Sequence, residues 1–182
     1  PSQNKSRLNA EFNRTTPSKS NFMLVQSPDF MATETGYLNG FAAGRDPHSQ
    51  QEWLLHCPGA VAFARDNDAH SATSEFYIVI GQASRHLDRN MSTLGRVTFG
   101  MPAVQAFNRA NINNADGVLE NASERSKILW AKLAKDVGQN NRLKVQIQEQ
   151  YSDQVKQRLN SAKKLDNPFF KFKGNGNLDV YF

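Results

Sequence analysis

Cysteine is almost absent from this chain. The single Cys57 excludes an internal disulfide and any zinc site built on several thiolates. Beside His56 it reads as a small buried hydrophobe rather than as a nucleophile or a ligand. Long apolar runs are missing as well. No stretch approaches the ~18 residues that a membrane helix needs, so no membrane insertion is expected. Blocks of like charge are also missing. The net charge is +5, from 22 Lys and Arg against 17 Asp and Glu, but the basic residues are spread along the sequence. A nucleic-acid footprint gathers them on one face, so a solvated basic surface is expected and no nucleic-acid partner. Apolar residues make up 38%, somewhat below the usual share of about 45–50%, a count that includes glycine, but not low enough to indicate disorder throughout. What is present in quantity is phenylalanine, 12 residues that can fill a core.

Residues 1–21 are polar and read as loop or a poorly ordered end. Residues 22–50 carry Pro28, Gly36, Gly40, Gly44 and Pro47 and read as loop with short strands. Trp53 to His56 is a short apolar run stopped by Pro58-Gly59. The small apolar run 59–64 suits a buried strand. The run 75–80, aromatic and β-branched and ended by Gly81, is the strongest strand signal. Residues 93–99 form another, ended by Gly100, and the two are expected to be neighbours. Pro102 sits where a first helical turn tolerates it, with Val104 and Phe107 on the helix that follows. Residues 111–121 read as loop. Ile128 and Trp130 fit a strand or a helix. Leu143, Val145 and Ile147 alternate with polar residues, as in a half-exposed strand. In 151–164, Val155 and Leu159 are four apart among charged residues, which fits an amphipathic helix.

Several short motifs stand in register over about fifty residues. Pro58-Gly59 opens the small-residue strand ending Phe63-Ala64-Arg65. After a polar loop comes Ser74-Glu75-Phe76-Tyr77-Ile78, then Leu87-Asp88, then Leu94-Gly95-Arg96-Val97 and Gly100-Met101. Each motif alone is weak. Together they resemble the signature of cyclophilin-type peptidyl-prolyl cis-trans isomerases. Leu8 to Phe12, Thr35-Gly36-Tyr37, the run Ser84 to Asn90, Asn167 to Phe170 and Leu178-Asp179-Val180 are similar to a divergent bacterial branch of that family. The resemblance implies a mainly β fold: a closed antiparallel β-barrel with capping helices and a C-terminal α/β extension. It divides the chain into a cyclophilin-like domain, 1–110, and an extension packing on the barrel, 111–182.

The implied chemistry is rotation of the Xaa-Pro amide, whose barrier is ~18–20 kcal/mol. No covalent bond changes, so neither metal nor cofactor is expected. The partners are proline-containing polypeptides, and the chain is expected to be a monomer. By resemblance, the substrate-binding residues are Phe63, Ala64, Arg65, Glu75, Tyr77, His86, Leu87 and Met91. Phe63, Tyr77 and Leu87 are expected to wall one cavity, with His86 and Met91 at its rim. Glu75 stands where the family has glutamine, His86 where it often has Trp, and Met91 where many members have His. The family also uses an arginine that donates to the prolyl nitrogen as conjugation is lost. The segment Phe22 to Phe30 is similar to a worn copy of the motif that follows this arginine, which would put the arginine near Pro17. The favoured expectation is instead that its strand lies upstream of Pro1, with Arg45 and Arg65 as weaker substitutes. A cyclophilin-like module that binds proline peptides with little turnover remains the alternative. Location in the periplasm is expected, with the cytoplasm as the alternative.

Overall fold

The computed structural model describes residues 6–82, 84–114 and 117–180. The first five residues of the expected loop 1–21, and residues 115 and 116 of the loop 111–121, lie outside that range. Contacts divide the chain into two units. One holds the described residues up to Val97 together with those from Ile147 onward, and the other runs Thr98–Gln146.

The first unit contains two antiparallel sheets. The larger has five strands: β1 (Arg14–Thr15), β2 (Phe22–Gln26), β3 (Glu34–Leu38), β4 (Phe41–Asp46) and β5 (Gln51–Leu54), in the order β1-β5-β4-β3-β2. From β2 to β5 it is a meander of hairpins. Leu38 pairs with Phe41 across a two-residue turn, Asn39-Gly40, in which both residues have positive φ. That backbone twist matches the twist of the flanking strands, and Asn-Gly adopts it at little cost. The smaller sheet has three strands, β6 (Ala60–Phe63), β7 (Phe76–Ile78) and β8 (Thr93–Arg96), with β6 in the centre.

The segments 75–80 and 93–99 do contain strands, but β7 and β8 flank β6 and do not pair with each other. Among the described residues the two sheets do not close into one barrel. Residues 22–50 hold three short strands, as expected, but more sheet than loop, because Gly36 and Gly44 allow close approach of packed groups rather than breaking strands.

Residues 6–16 are held by long-range hydrogen bonds that no local pattern announces. Leu8 N–H donates to the Ala72 carbonyl at 2.9 Å, Glu11 N–H to Ser92 Oγ at 2.9 Å, and Thr16 N–H to the Gln50 carbonyl at 2.8 Å.

Helix α2 (Asp153–Lys164) starts at Ser152, whose hydroxyl accepts from Val155 N–H, and ends at Leu165 in the left-handed region. Its buried Val155 and Leu159 pack with Val25 of β2 and with Leu178. Lys163 Nζ donates to the Val25 carbonyl at 2.6 Å. A second cluster joins Trp53, Leu55, Cys57 and Val180, and a third Phe22, Leu38 and Ala43. Tyr37 touches the first two clusters.

The second unit begins with the short helix α1 (Met101–Gln105), with Pro102 in its first turn. Val104 lies on it and Phe107 lies beyond its end. Beyond α1 the described residues form three short 3-10 turns and irregular chain. Neither the Ile128–Trp130 region nor 143–147 is a strand. Alternation by itself does not make a strand: the backbone needs a ladder partner, and none is present here among the described residues.

Candidate functional site

The register of the small sheet decides which expected site residues meet. Phe63 pairs with Phe76, and Ala62 pairs with Tyr77. Side chains alternate across a strand, so Phe63 and Tyr77 point to opposite faces. The expected convergence of Phe63 with Tyr77 on one cavity is therefore not found. Ala64 N–H donates to the Glu75 carbonyl at 2.8 Å, which extends the β6–β7 ladder, and the Glu75 side chain is exposed. His86 and Leu87 lie in the 3-10 turn Ser84–Leu87, with His86 exposed and Leu87 half-buried. Met91 is half-buried just before β8. Arg65 donates from Nε to the Asn90 carbonyl at 2.9 Å and from Nη1 to the Asp66 carbonyl at 2.7 Å. Its guanidinium lies 5.2 Å from the centre of the Phe12 ring.

Tyr77 is the one expected residue that enters a larger construction. Its hydroxyl lies 2.8 Å from Nε2 of His56, and the two rings stack with centroids 6.1 Å apart. His56 is 0% exposed. Its backbone N–H donates to Asp88 Oδ1 at 2.8 Å, and its Nδ1 lies 3.2 Å from the same oxygen. Arg85 donates from Nε to the other oxygen of Asp88 and from Nη2 to Asp29 Oδ1 at 2.8 Å. Phe30, mostly exposed, covers the Arg85 guanidinium at 5.2 Å. A buried polar chain thus runs from Tyr77 through His56, Asp88 and Arg85 to Asp29. It joins β7, the segment before β6, the 3-10 turn and the loop after β2.

The electrostatics follow from this burial. Loss of solvent pushes the Tyr77 phenol up to about 12, with the charge of Asp88 adding to the rise and that of Arg65 opposing it. Burial works against the charge on Arg85, but hydrogen bonds to Asp29 and Asp88 outweigh it and raise its pKa. Arg85 remains a guanidinium between two carboxylates, so the buried charges are paired.

The sequence motifs point to Tyr77 and include Leu87-Asp88, but they assign no role to His56, Arg85 or Asp29. The available signal was weak: a histidine just before Pro58-Gly59, and Arg and Asp three apart around His86-Leu87. The arginines weighed as substitutes are engaged elsewhere. Arg45 pairs with Glu34 at 2.7 Å and stacks on Phe22. A further arginine near the start of the chain, Arg14, pairs with the fully buried Glu52 at 2.6 Å. A separate cavity of about 340 Å³ is lined by Tyr37, Cys57, Arg96, Val155 and Arg158 among others, and by none of the expected site residues. Among the described residues no group of His, Cys, Asp and Glu is arranged to hold a metal ion.

Comparison with known proteins bears directly on the motif register. The family model for cyclophilin type peptidyl-prolyl cis-trans isomerase/CLD matches residues 5–128. No curated protein matches the chain. A similar solved structure is the crystal structure of cyclophilin AquaCyp293 from Hirschia baltica, at 25% identity and a TM-score of 0.48, covering 57% of this chain and 43% of that one. The chain thus spans less than half the length of that cyclophilin. With β6, β7, the Leu87-Asp88 turn and β8 all inside the matched range, the chain belongs to the cyclophilin-type peptidyl-prolyl cis-trans isomerase family.

Proposed function

We propose that this protein catalyses rotation about Xaa-Pro amide bonds in unfolded or flexible polypeptides, and so assists their folding. The observation that carries the reading is the family match across residues 5–128, which includes Tyr77 and Leu87 as candidate apolar walls for a proline ring. The reaction needs no group transfer. It needs a surface that favours the twisted amide over the planar one, by apolar contact with the ring and hydrogen bonds to the flanking backbone. The backbone at Ala64 and Arg65, beside the end of β6, is the candidate for those hydrogen bonds.

The test is the cis-to-trans rate of a short Xaa-Pro peptide, measured cold so that the uncatalysed reaction is slow. The protein should accelerate it. Tyr77→Ala should lower kcat/KM by about tenfold or more, the scale on which a pocket registers lost apolar contact. Lys164→Ala, on the exposed end of α2, should leave the rate unchanged. An uncatalysed rate in the presence of the wild-type chain would overturn the proposal.

A second reading, a module that binds proline peptides with little turnover, is favoured by the arginines. Arg14, Arg45 and Arg85 are ion-paired, and Arg65 spends Nε and Nη1 on backbone carbonyls. Peptide binding without acceleration would select this reading.

A further inference from the structure

We propose that His56 and Asp88 are positioning residues for Tyr77: they fix the direction of its hydroxyl and so hold its ring in one orientation as a wall for the substrate proline. The consequence for substrate rests on the isomerase reading above. The geometry rests on the buried chain alone.

The direction of each hydrogen bond can be assigned from the carboxylate outward. Asp88 faces a guanidinium on one oxygen and two nitrogens of His56 on the other. An ionised carboxylate only accepts, so the backbone N–H and Nδ1–H of His56 both donate to Oδ1. With the proton on Nδ1, Nε2 of the neutral ring offers a lone pair. The Tyr77 hydroxyl, 2.8 Å away, then donates to it. Turning the phenol away would break its hydrogen bond to a histidine that is 0% exposed. His56 itself is gripped twice by one carboxylate oxygen, through its backbone and its ring. Arg85 offsets the charge of Asp88 and binds Asp29, so the wall is also tied to the loop after β2. Phenylalanine at 77 would supply the same ring but no donor to His56. The hydroxyl serves to lock the wall.

The experiment is a double-mutant cycle with Tyr77→Phe and His56→Leu, together with 15N NMR of the His56 imidazole in the wild-type protein. Affinity for a short Xaa-Pro peptide and the cis-to-trans rate are measured for all four proteins. Each single variant should weaken peptide affinity by roughly five- to tenfold, and the double variant should be no worse than either, as for groups within one hydrogen-bond network. The effect should fall on KM and peptide affinity more than on kcat. The imidazole should show one proton-bearing nitrogen and one lone-pair nitrogen. Additive effects in the cycle would overturn the proposal, and so would ring nitrogens averaged between tautomers. Tyr77→Phe keeps the ring volume, so the comparison survives if His56→Leu fails to fold: Tyr77→Phe binding as tightly as wild type would overturn the proposal on its own. A wild-type chain that binds the peptide without turning it over fails the isomerase reading alone. The nitrogen pattern needs no peptide and judges the network in either case.

Discussion

Gly44 of β4 lies directly opposite Trp53 of β5, and the indole covers the space where a side chain at 44 would begin. A Cβ placed on Gly44 would come within 2.5 Å of the Trp53 ring. Trp53 is buried with Leu55, Cys57 and Val180, so it has little room to withdraw. Gly44→Ala should therefore destabilise the first unit by about 1–3 kcal/mol, the usual cost of overpacking. Urea denaturation measures it, and a variant as stable as wild type would mean that the indole yields freely.

Arg85 is the only cation placed between Asp29 and Asp88 among the described residues. Replacing it with Met keeps much of its length but strands two nearly buried carboxylates. Arg85→Met should cost about 3–5 kcal/mol, the range for breaking a buried ion pair from one side. The loss should shrink when Asp29→Asn and Asp88→Asn are added, because the stranded charge is then removed. An undiminished loss in the triple variant would show that Arg85 acts through packing.

The phenol of Tyr77 is raised from 10.0 to about 12, first by burial. A raised pKa means that folding favours the protonated form. The contribution to stability is thus fully present below pH 10 and is lost as pH rises through about 12. Near-ultraviolet titration of the folded protein should show Tyr77 ionising late. Tyr37, also raised chiefly by burial, should lag behind its ordinary value too. Loss of the late phase in Tyr77→Phe identifies the residue; a late phase of unchanged size would assign it elsewhere.

Helix α2 is anchored through Val155 and Leu159 against Val25 and Leu178. Leu159→Ala should cost about 2–5 kcal/mol, as for a buried leucine. In hydrogen exchange, the amides of the central turns of α2 should be protected, whereas those of 125–133, where no helix or strand forms, should exchange quickly. Uniform exchange across both segments would contradict the packing of α2.

Much was legible where a local pattern carries its own physical cause. The aromatic and β-branched residues around Tyr77 announce β7. The glycine that ends the strand run, with Pro102 after it, announces α1, and Val155 with Leu159 at four-residue spacing announces α2. The motif register from Pro58 to Met101 lies within the family match and marks the family by itself.

What the sequence left open depends on partners distant along the chain. Gly36 and Gly44 look like strand breakers in isolation, because the groups packed against them are contributed by other strands. Leu143, Val145 and Ile147 alternate as a strand does but find no ladder. Whether Phe63 and Tyr77 share a face was a matter of one residue of register between β6 and β7. The buried chain brings together Asp29, His56, Tyr77, Arg85 and Asp88 from segments up to 59 positions apart, and no local signal carries such a meeting. Sequence alone determined the family and the individual elements, since their causes are local; tertiary structure decided which polar groups lost water together, since desolvation belongs to the assembled fold.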